Sequence, residues 1–279
     1  MYGAVIGDIA GSVYEWKNVK TKEFELFGKR SRCTDDSVMT VAVAAAILKS
    51  KRDPDIFSGV LPDLMRKIGR MYPDAGYGGH FFVWLMDQKE GPYGSFGNGS
   101  AMRVSPCGLA ADSLNEALDL AKRSAEVTHN HKEGIKGAEA AAGAVYLAKT
   151  GASREEIRKF AENYYTLNFT LDEIRPSYEF DVTCQGSVPQ AIEAFLESTS
   201  YEDAIRNAIS IGGDSDTIAA ITGGIAWSYY RFQNGGKLTP DMEYMAARAD
   251  LIIEDDLLDI IRLFEETFGL SEESEEIDD

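Results

Sequence analysis

Two short clusters of acids and hydroxyls, Thr34-Asp35-Asp36-Ser37 and Gly212-Gly213-Asp214-Ser215-Asp216-Thr217, stand near opposite ends of this 279-residue chain. If folding brings them together, Asp35, Asp36, Asp214, Asp216 and the neighbouring hydroxyls form a pocket whose donors are all oxygen. Like carboxylates packed within a few ångströms resist joint ionisation, so such a pocket calls for protons or for hard divalent cations of the Mg²⁺ type. Each cluster alone has a simpler reading. Both directly precede stretches of small residues with helical character, and acids and hydroxyls at a helix N-terminus gain from its free N–H groups and dipole.

Three other segments are unusual for a helix interior: Gly7-Asp8 through Glu15, Gly97-Asn98-Gly99-Ser100-Ala101-Met102-Arg103, and Thr128-His129-Asn130-His131. The glycine-rich segment can bend closely around a ligand and turn backbone N–H groups and the Ser100 hydroxyl toward phosphate oxygens. It lacks the spacing of a P-loop, and Asn-Gly is equally a turn signal. On a helix, His129 and His131 would point apart. A phosphate or ribose contact, or a structural hydrogen bond, therefore suits His129 better than shared metal ligation. The stretch Gly76-Tyr77-Gly78-Gly79-His80-Phe81 reads as a loop whose aromatics either wall an acceptor pocket or close the core.

The elements that would position these residues are helical. The spacing predicts helices over 37–50 and 218–230. It gives another apolar face along Ile56, Val60, Leu64 and Ile68, with Pro62 marking a kink or a fresh start. Ser153 with Glu156 matches a capping box, and Ser200 with Asp203 resembles one. Pro189 and Pro240 read as first-turn prolines, and one long period runs from 241 to 268 before Gly269. Two-residue alternation is scarce. The expectation is an all-α protein of eight or more helices around one core, a single domain over 1–270, followed by a solvated acidic tail over 271–279.

Composition removes several classes of function. No apolar run approaches the roughly 20 residues that span a bilayer. The N-terminus lacks a basic flank and carries Asp8 where a signal peptide stays apolar, so the chain reads as cytoplasmic. Its three cysteines form no C-x-x-C pair, which argues against a disulfide framework or a thiolate zinc site. A net charge of −18 repels phosphate backbones and argues against a general nucleic-acid binder.

Taken together and in this order, Gly7-Asp8 with Glu15, TDDS at 34–37, GNGSAMR at 97–103, Thr128-His129 and GGDSDT at 212–217 resemble the ADP-ribosylglycohydrolase family. That resemblance implies an all-α fold, a pair of Mg²⁺ or Mn²⁺ ions, and cleavage of the N- or O-glycosidic bond between ADP-ribose and a modified acceptor. The resemblance places metal ligands at Thr34, Asp35, Asp36, Asp214, Asp216 and Thr217, and ligand contacts at Asn98, Gly99, Ser100 and His129. Asp36 or Asp216 would orient and deprotonate water, and Glu15 would gate the substrate or transfer a proton to the leaving group. Trp227 departs from the small residue common at its position, and is expected to alter helix packing or the pocket rim. The substrate would be an ADP-ribosylated protein or small molecule, with an ADP-ribosylated nucleic-acid end also open. Two alternatives stand beside this reading: a metal-dependent nucleotide phosphoester or diphosphate hydrolase, and a non-catalytic ADP-ribose-binding module.

Overall fold

Glycines at every fourth position set the central helix contact. In the computed structural model, which describes residues 1–87 and 91–270, Gly3, Gly7 and Gly11 line one face of α1 (Tyr2–Gly11). A Cβ on Gly7 would sit 2.1 Å from the Ala219 carbonyl oxygen, and one on Gly11 2.5 Å from the Asp216 Cα. Only bare backbone allows α1 to lie this close to the late helix that follows the second acid cluster.

In chain order α1 is followed by α2 (Asp35–Ser50), α3 (Pro54–Gly69), α4 (Gly79–Met86), α5 (Gly99–Met102), α6 (Ser105–Ala110) and α7 (Leu114–Glu126). Then come α8 (Lys132–Lys149), α9 (Arg154–Ala161), α10 (Leu171–Ile174), α11 (Cys184–Leu196) and α12 (Tyr201–Ser210). The last three are α13 (Ser215–Gln233), α14 (Pro240–Ala249) and α15 (Asp255–Thr267). The described residues contain no strand, only an isolated bridge between Gly97 and Thr183. The all-α expectation holds. Among the described residues no helix is long and apolar enough to cross a membrane.

α13 is the hub: α1, α8, α11 and α12 all pack on it, and α8 in turn meets α5, α6, α7 and α11. Its first fourteen residues are buried, as are most of those of α2, because alanine, glycine and serine let neighbours approach from every side. The buried apolar side chains form one continuous cluster reaching from Met1 to Phe264. Cys33, Cys107 and Cys184 are free and buried within it.

Three local expectations are corrected. Pro62 does not restart α3, which runs through it from an Asp53 cap with Pro54 in the first turn. Burial of Phe57, Leu61, Met65 and Ile68 outweighs the one lost backbone bond. Pro189 lies inside α11, whose N-terminus is set five residues earlier, where the Thr183 hydroxyl accepts the Gly186 N–H. The long period at 241–268 is two helices, because the N–H groups of Ile252 and Ile253 both fold back on the Ala249 carbonyl, and Asp255 and Asp256 start a new first turn. The acidic segment 271–279 lies outside the described residues.

Candidate active site

A single buried carboxylate positions the first cluster. Asp8 is the sole charged residue of α1, and its oxygens accept from the Thr34 N–H at 2.8 Å, the Thr34 hydroxyl at 2.6 Å, the Ser37 N–H at 3.1 Å and the Ser37 hydroxyl. These bonds tie the start of α2 to α1 and occupy the lone pairs of Asp8. Thr34 is the N-cap of α2, its hydroxyl receiving the Asp36 N–H at 3.3 Å.

The second cluster is aimed by a turn. Gly212 and Gly213 adopt φ of +72° and +76°, a left-handed pair that reverses the chain into α13 and faces Asp214 and Asp216 inward. Asn18 grips the same turn: its Nδ2 donates to the Gly213 carbonyl at 2.9 Å, and its Oδ1 accepts from the Gly213 N–H at 2.7 Å. The same Nδ2 reaches the carbonyls of Tyr14 and Glu15 at 2.8 and 2.9 Å. The loop that carries Glu15 is thus stitched to the turn that carries Asp214.

Because α1 lies against α13, the two clusters meet. Across 181 residues of chain, the Thr217 hydroxyl donates to Asp36 Oδ2 at 3.2 Å. One oxygen each from Asp8, Asp36 and Asp216 falls within 4.8 Å of the others, and the same is true of Glu15, Asp214 and Asp216. Asp216 is common to both groups. Asp36 Oδ1 is buried without any hydrogen-bond partner. A buried carboxylate oxygen left orphaned is costly in a protein that offers it nothing else, and an oxygen-only cluster around it has the donor chemistry of a hard divalent cation site. The residues present fit Mg²⁺ or Mn²⁺.

The electrostatics agree. Burial, and then the charge of Asp216, holds Asp35 and Asp36 well above the usual carboxylate range. Burial, followed by the charge of Asp214 and a hydrogen bond to it, does the same for Asp216. Asp214 is pushed up to about 6 by burial, although a hydrogen bond from Asp216 and one from Asn98 Nδ2 at 2.7 Å oppose the shift. Glu15, half-buried, is pushed up to about 7 by burial and then by Asp216. Without cations this cluster holds protons near neutral pH.

The acids form the floor of a cleft of about 790 Å³, within the range of about 300–1,000 Å³ common for small-molecule sites. Asn98, Gly99 and His129 line it beside Asp35, Asp36, Asp214, Asp216 and Thr217, with Tyr77, His80 and Phe81 on its wall. His80 and Phe81 belong to α4 instead of a loop, and His129 and His131 lie in the turn before α8, where His131 is the N-cap. One ligand expectation changes, that for Ser100, and the Asn98 side chain takes on a second task. The Asn98 amide is engaged with Asp214 Oδ2 and, at 3.0 Å, with the Ser187 hydroxyl, so its side chain steadies an acid. Ser100 is fully buried, and its hydroxyl donates to the Gly134 carbonyl at 2.7 Å, anchoring the glycine segment to α8 instead of facing the cleft. Trp227 is not on the cleft; it packs edge-on against Tyr2 and Tyr201.

Sequence reasoning missed Asp8 and Asn18 as organisers. A lone acid in the apolar run Tyr2–Gly11 was a readable signal for the first, whereas nothing local marked Asn18.

Set beside known proteins, residues 1–234 match the family model for ADP-ribosylglycohydrolase. The chain is 28% identical to human ADP-ribosylhydrolase ARH3, the match covering 82% of this chain and 83% of that protein. ADP-ribosylarginine hydrolase Tri1 of Pseudomonas putida is also 28% identical, over 48% of this chain and 38% of its own length. A solved structure described as an ADP-ribosylglycohydrolase-related protein complex superposes with a TM-score of 0.61 at 22% identity, covering 96% of this chain and 94% of that one. This chain belongs to the ADP-ribosylglycohydrolase family.

Proposed function

We propose that this protein is a Mg²⁺- or Mn²⁺-dependent hydrolase that releases ADP-ribose from a modified protein or small-molecule acceptor. The observation that carries the reading is the meeting of the two acid clusters, with the orphaned Asp36 Oδ1 among them, on the floor of one cleft that also contains Glu15. The family membership supports the same bond class.

Thr34, Asp35, Asp36, Asp214, Asp216 and Thr217 would hold the cations, with Asp216 common to both acid groups. Asp8 is the anchor behind them, since its oxygens are already filled by Thr34 and Ser37. When bound, the ions would supply fixed positive charge against ribose hydroxyls and acidify nearby water. Asp36 and Asp216 would orient the attacking water, with the Thr217 hydroxyl fixing Asp36. Glu15 is the acid–base group: a half-buried carboxyl on the cleft beside Asp216, it is placed to give a proton to, or take one from, the acceptor that leaves the anomeric carbon. Gly99 and His129 face the diphosphate, and Asn98 acts by holding Asp214.

Incubation with ADP-ribosylated acceptors and MgCl₂, followed by chromatography of the nucleotide product, tests the reading. Free ADP-ribose, lost on adding EDTA, is the expected product. AMP or inorganic phosphate would favour phosphoryl chemistry, and tight ADP-ribose binding with no turnover on any acceptor would favour a binding module.

A further inference from the structure

Arg103 is an arginine in an unusual place. It is 1% exposed, lies on the wall of the cleft, and meets no carboxylate among the described residues. Its Nη2 donates instead to the Ser124 carbonyl at 2.8 Å and to the Thr128 hydroxyl at 3.1 Å. The Thr128 oxygen in turn stands 2.7 Å from His129 Nδ1. Thr128 is itself fully buried, and its carbonyl receives the N–H groups of Tyr93 and Ser95, which fixes the rest of the residue in place.

A guanidinium only donates, so the direction of this chain is set at its first link. Thr128 Oγ1 accepts from Arg103, and its one proton then has His129 Nδ1 as its acceptor. The opposite tautomer would turn an Nδ1–H toward that oxygen and leave a buried hydroxyl proton with no acceptor. Nδ1 is therefore the lone-pair nitrogen, and Nε2 carries the hydrogen. Nε2 lies against the glycine turn, 3.2 Å from where a Cβ on Gly99 would sit, and faces the cleft. Burial, reinforced by the positive charge of Arg103, keeps the ring neutral.

We propose that Arg103 and Thr128 are positioning residues that act through His129, locking it as the neutral Nε2–H tautomer so that the cleft presents an uncharged N–H donor beside the Gly97–Gly99 turn. The ligand chemistry this suits is a phosphate oxygen, and to that extent the inference rests on the proposed function. A neutral donor binds such an oxygen with the same strength across the physiological pH range, which an imidazolium titrating near its ordinary value would not.

Ring ¹⁵N chemical shifts of histidine-labelled full-length protein, recorded between pH 5.5 and 8.5 without ligand or metal, test the assignment. Variants His80→Gln and His131→Gln identify the remaining signals as those of His129. The expected pattern is a pyridine-type Nδ1 and a pyrrole-type Nε2 that stay constant over the range. Thr128→Val should release the tautomer, so that both ring nitrogens take shifts between the pyrrole and pyridine types, and should weaken ADP-ribose binding about tenfold, the size expected for one hydrogen bond. Thr128→Ser should restore both. A pyrrole-type Nδ1, an imidazolium at neutral pH, or an unchanged pattern in a folded Thr128→Val protein would overturn the proposal. Because the spectrum needs no turnover, failure to release ADP-ribose would sink the hydrolase reading and leave this one standing, and the converse also holds.

Discussion

Replacing Asp36 with asparagine separates the cation site from the fold. Asp36 accepts from Thr217 through Oδ2, and its Oδ1 has no protein partner. An amide of the same shape can keep the first contact and turn its N–H₂ toward the neighbouring acids. It also removes a carboxyl whose own ionisation burial and the charges of Asp216, Asp8, Asp35 and Asp214 oppose. The metal-free variant is therefore expected to be at least as stable as the parent at pH 8, while its response to Mg²⁺ falls away. Magnitudes follow from linkage. An ion present at a hundred times its dissociation constant stabilises the folded state by about 2.7 kcal/mol. For 279 residues the unfolding entropy near 60 °C is about 0.6 kcal/mol per kelvin, so each bound ion should raise Tm by roughly 4–5 °C. Calorimetric scans with MgCl₂ and with EDTA read this directly. The parent should gain this shift at least once and Asp36→Asn should lose most of it. A full Mg²⁺ shift in a folded Asp36→Asn protein, or none in the parent, would refute the reasoning.

Stability of the metal-free protein should fall as pH rises. Asp214, near 3.8 when unfolded, and Glu15, near 4.5, are pushed up to about 6 and about 7 in the fold, so between these values the native state binds more protons than the unfolded chain. The loss from these two groups runs through about pH 7; thermal melts at pH 5 and pH 8 check it, and a higher Tm at pH 8 would contradict it. Glu15→Gln should lower kcat by about 10²–10⁴ with little change in Tm, as loss of an acid–base group does; a kcat within threefold of the parent would remove Glu15 from the chemistry. Gly7→Ala drives a methyl into the Ala219 backbone and should cost roughly 2–4 kcal/mol in urea unfolding. Gly59→Ala, in the middle of α3 with open space around it, should be neutral or gain about 0.5–1 kcal/mol.

The ends of helices were the most legible features. Ser153 with Glu156 forms the capping box its spacing announces, and Ser200 and Pro240 stand where the sequence places them. Interiors misled at Pro62 and Pro189 because tertiary burial tolerates a missing backbone bond that a local rule treats as a stop. At 250–254 the apolar period continued through a turn, since Ile253 is buried on either reading of the segment. For the site, residue types gave the all-oxygen chemistry of the two clusters, but their juxtaposition depends on the glycine face of α1, a packing property no single motif states. Ser100 shows the same limit: its hydroxyl was read as turned toward a ligand, and the competing acceptor, the Gly134 carbonyl, comes from a segment further along the chain.

A crystal structure of the protein soaked with MgCl₂ and ADP-ribose tests the central claim most directly. The expected result is Mg²⁺ density held by oxygens from both 34–36 and 214–217, with the distal ribose of the ligand against it and beside Glu15. Ligand bound away from this floor, or cations absent from it at saturating concentration, would contradict the account.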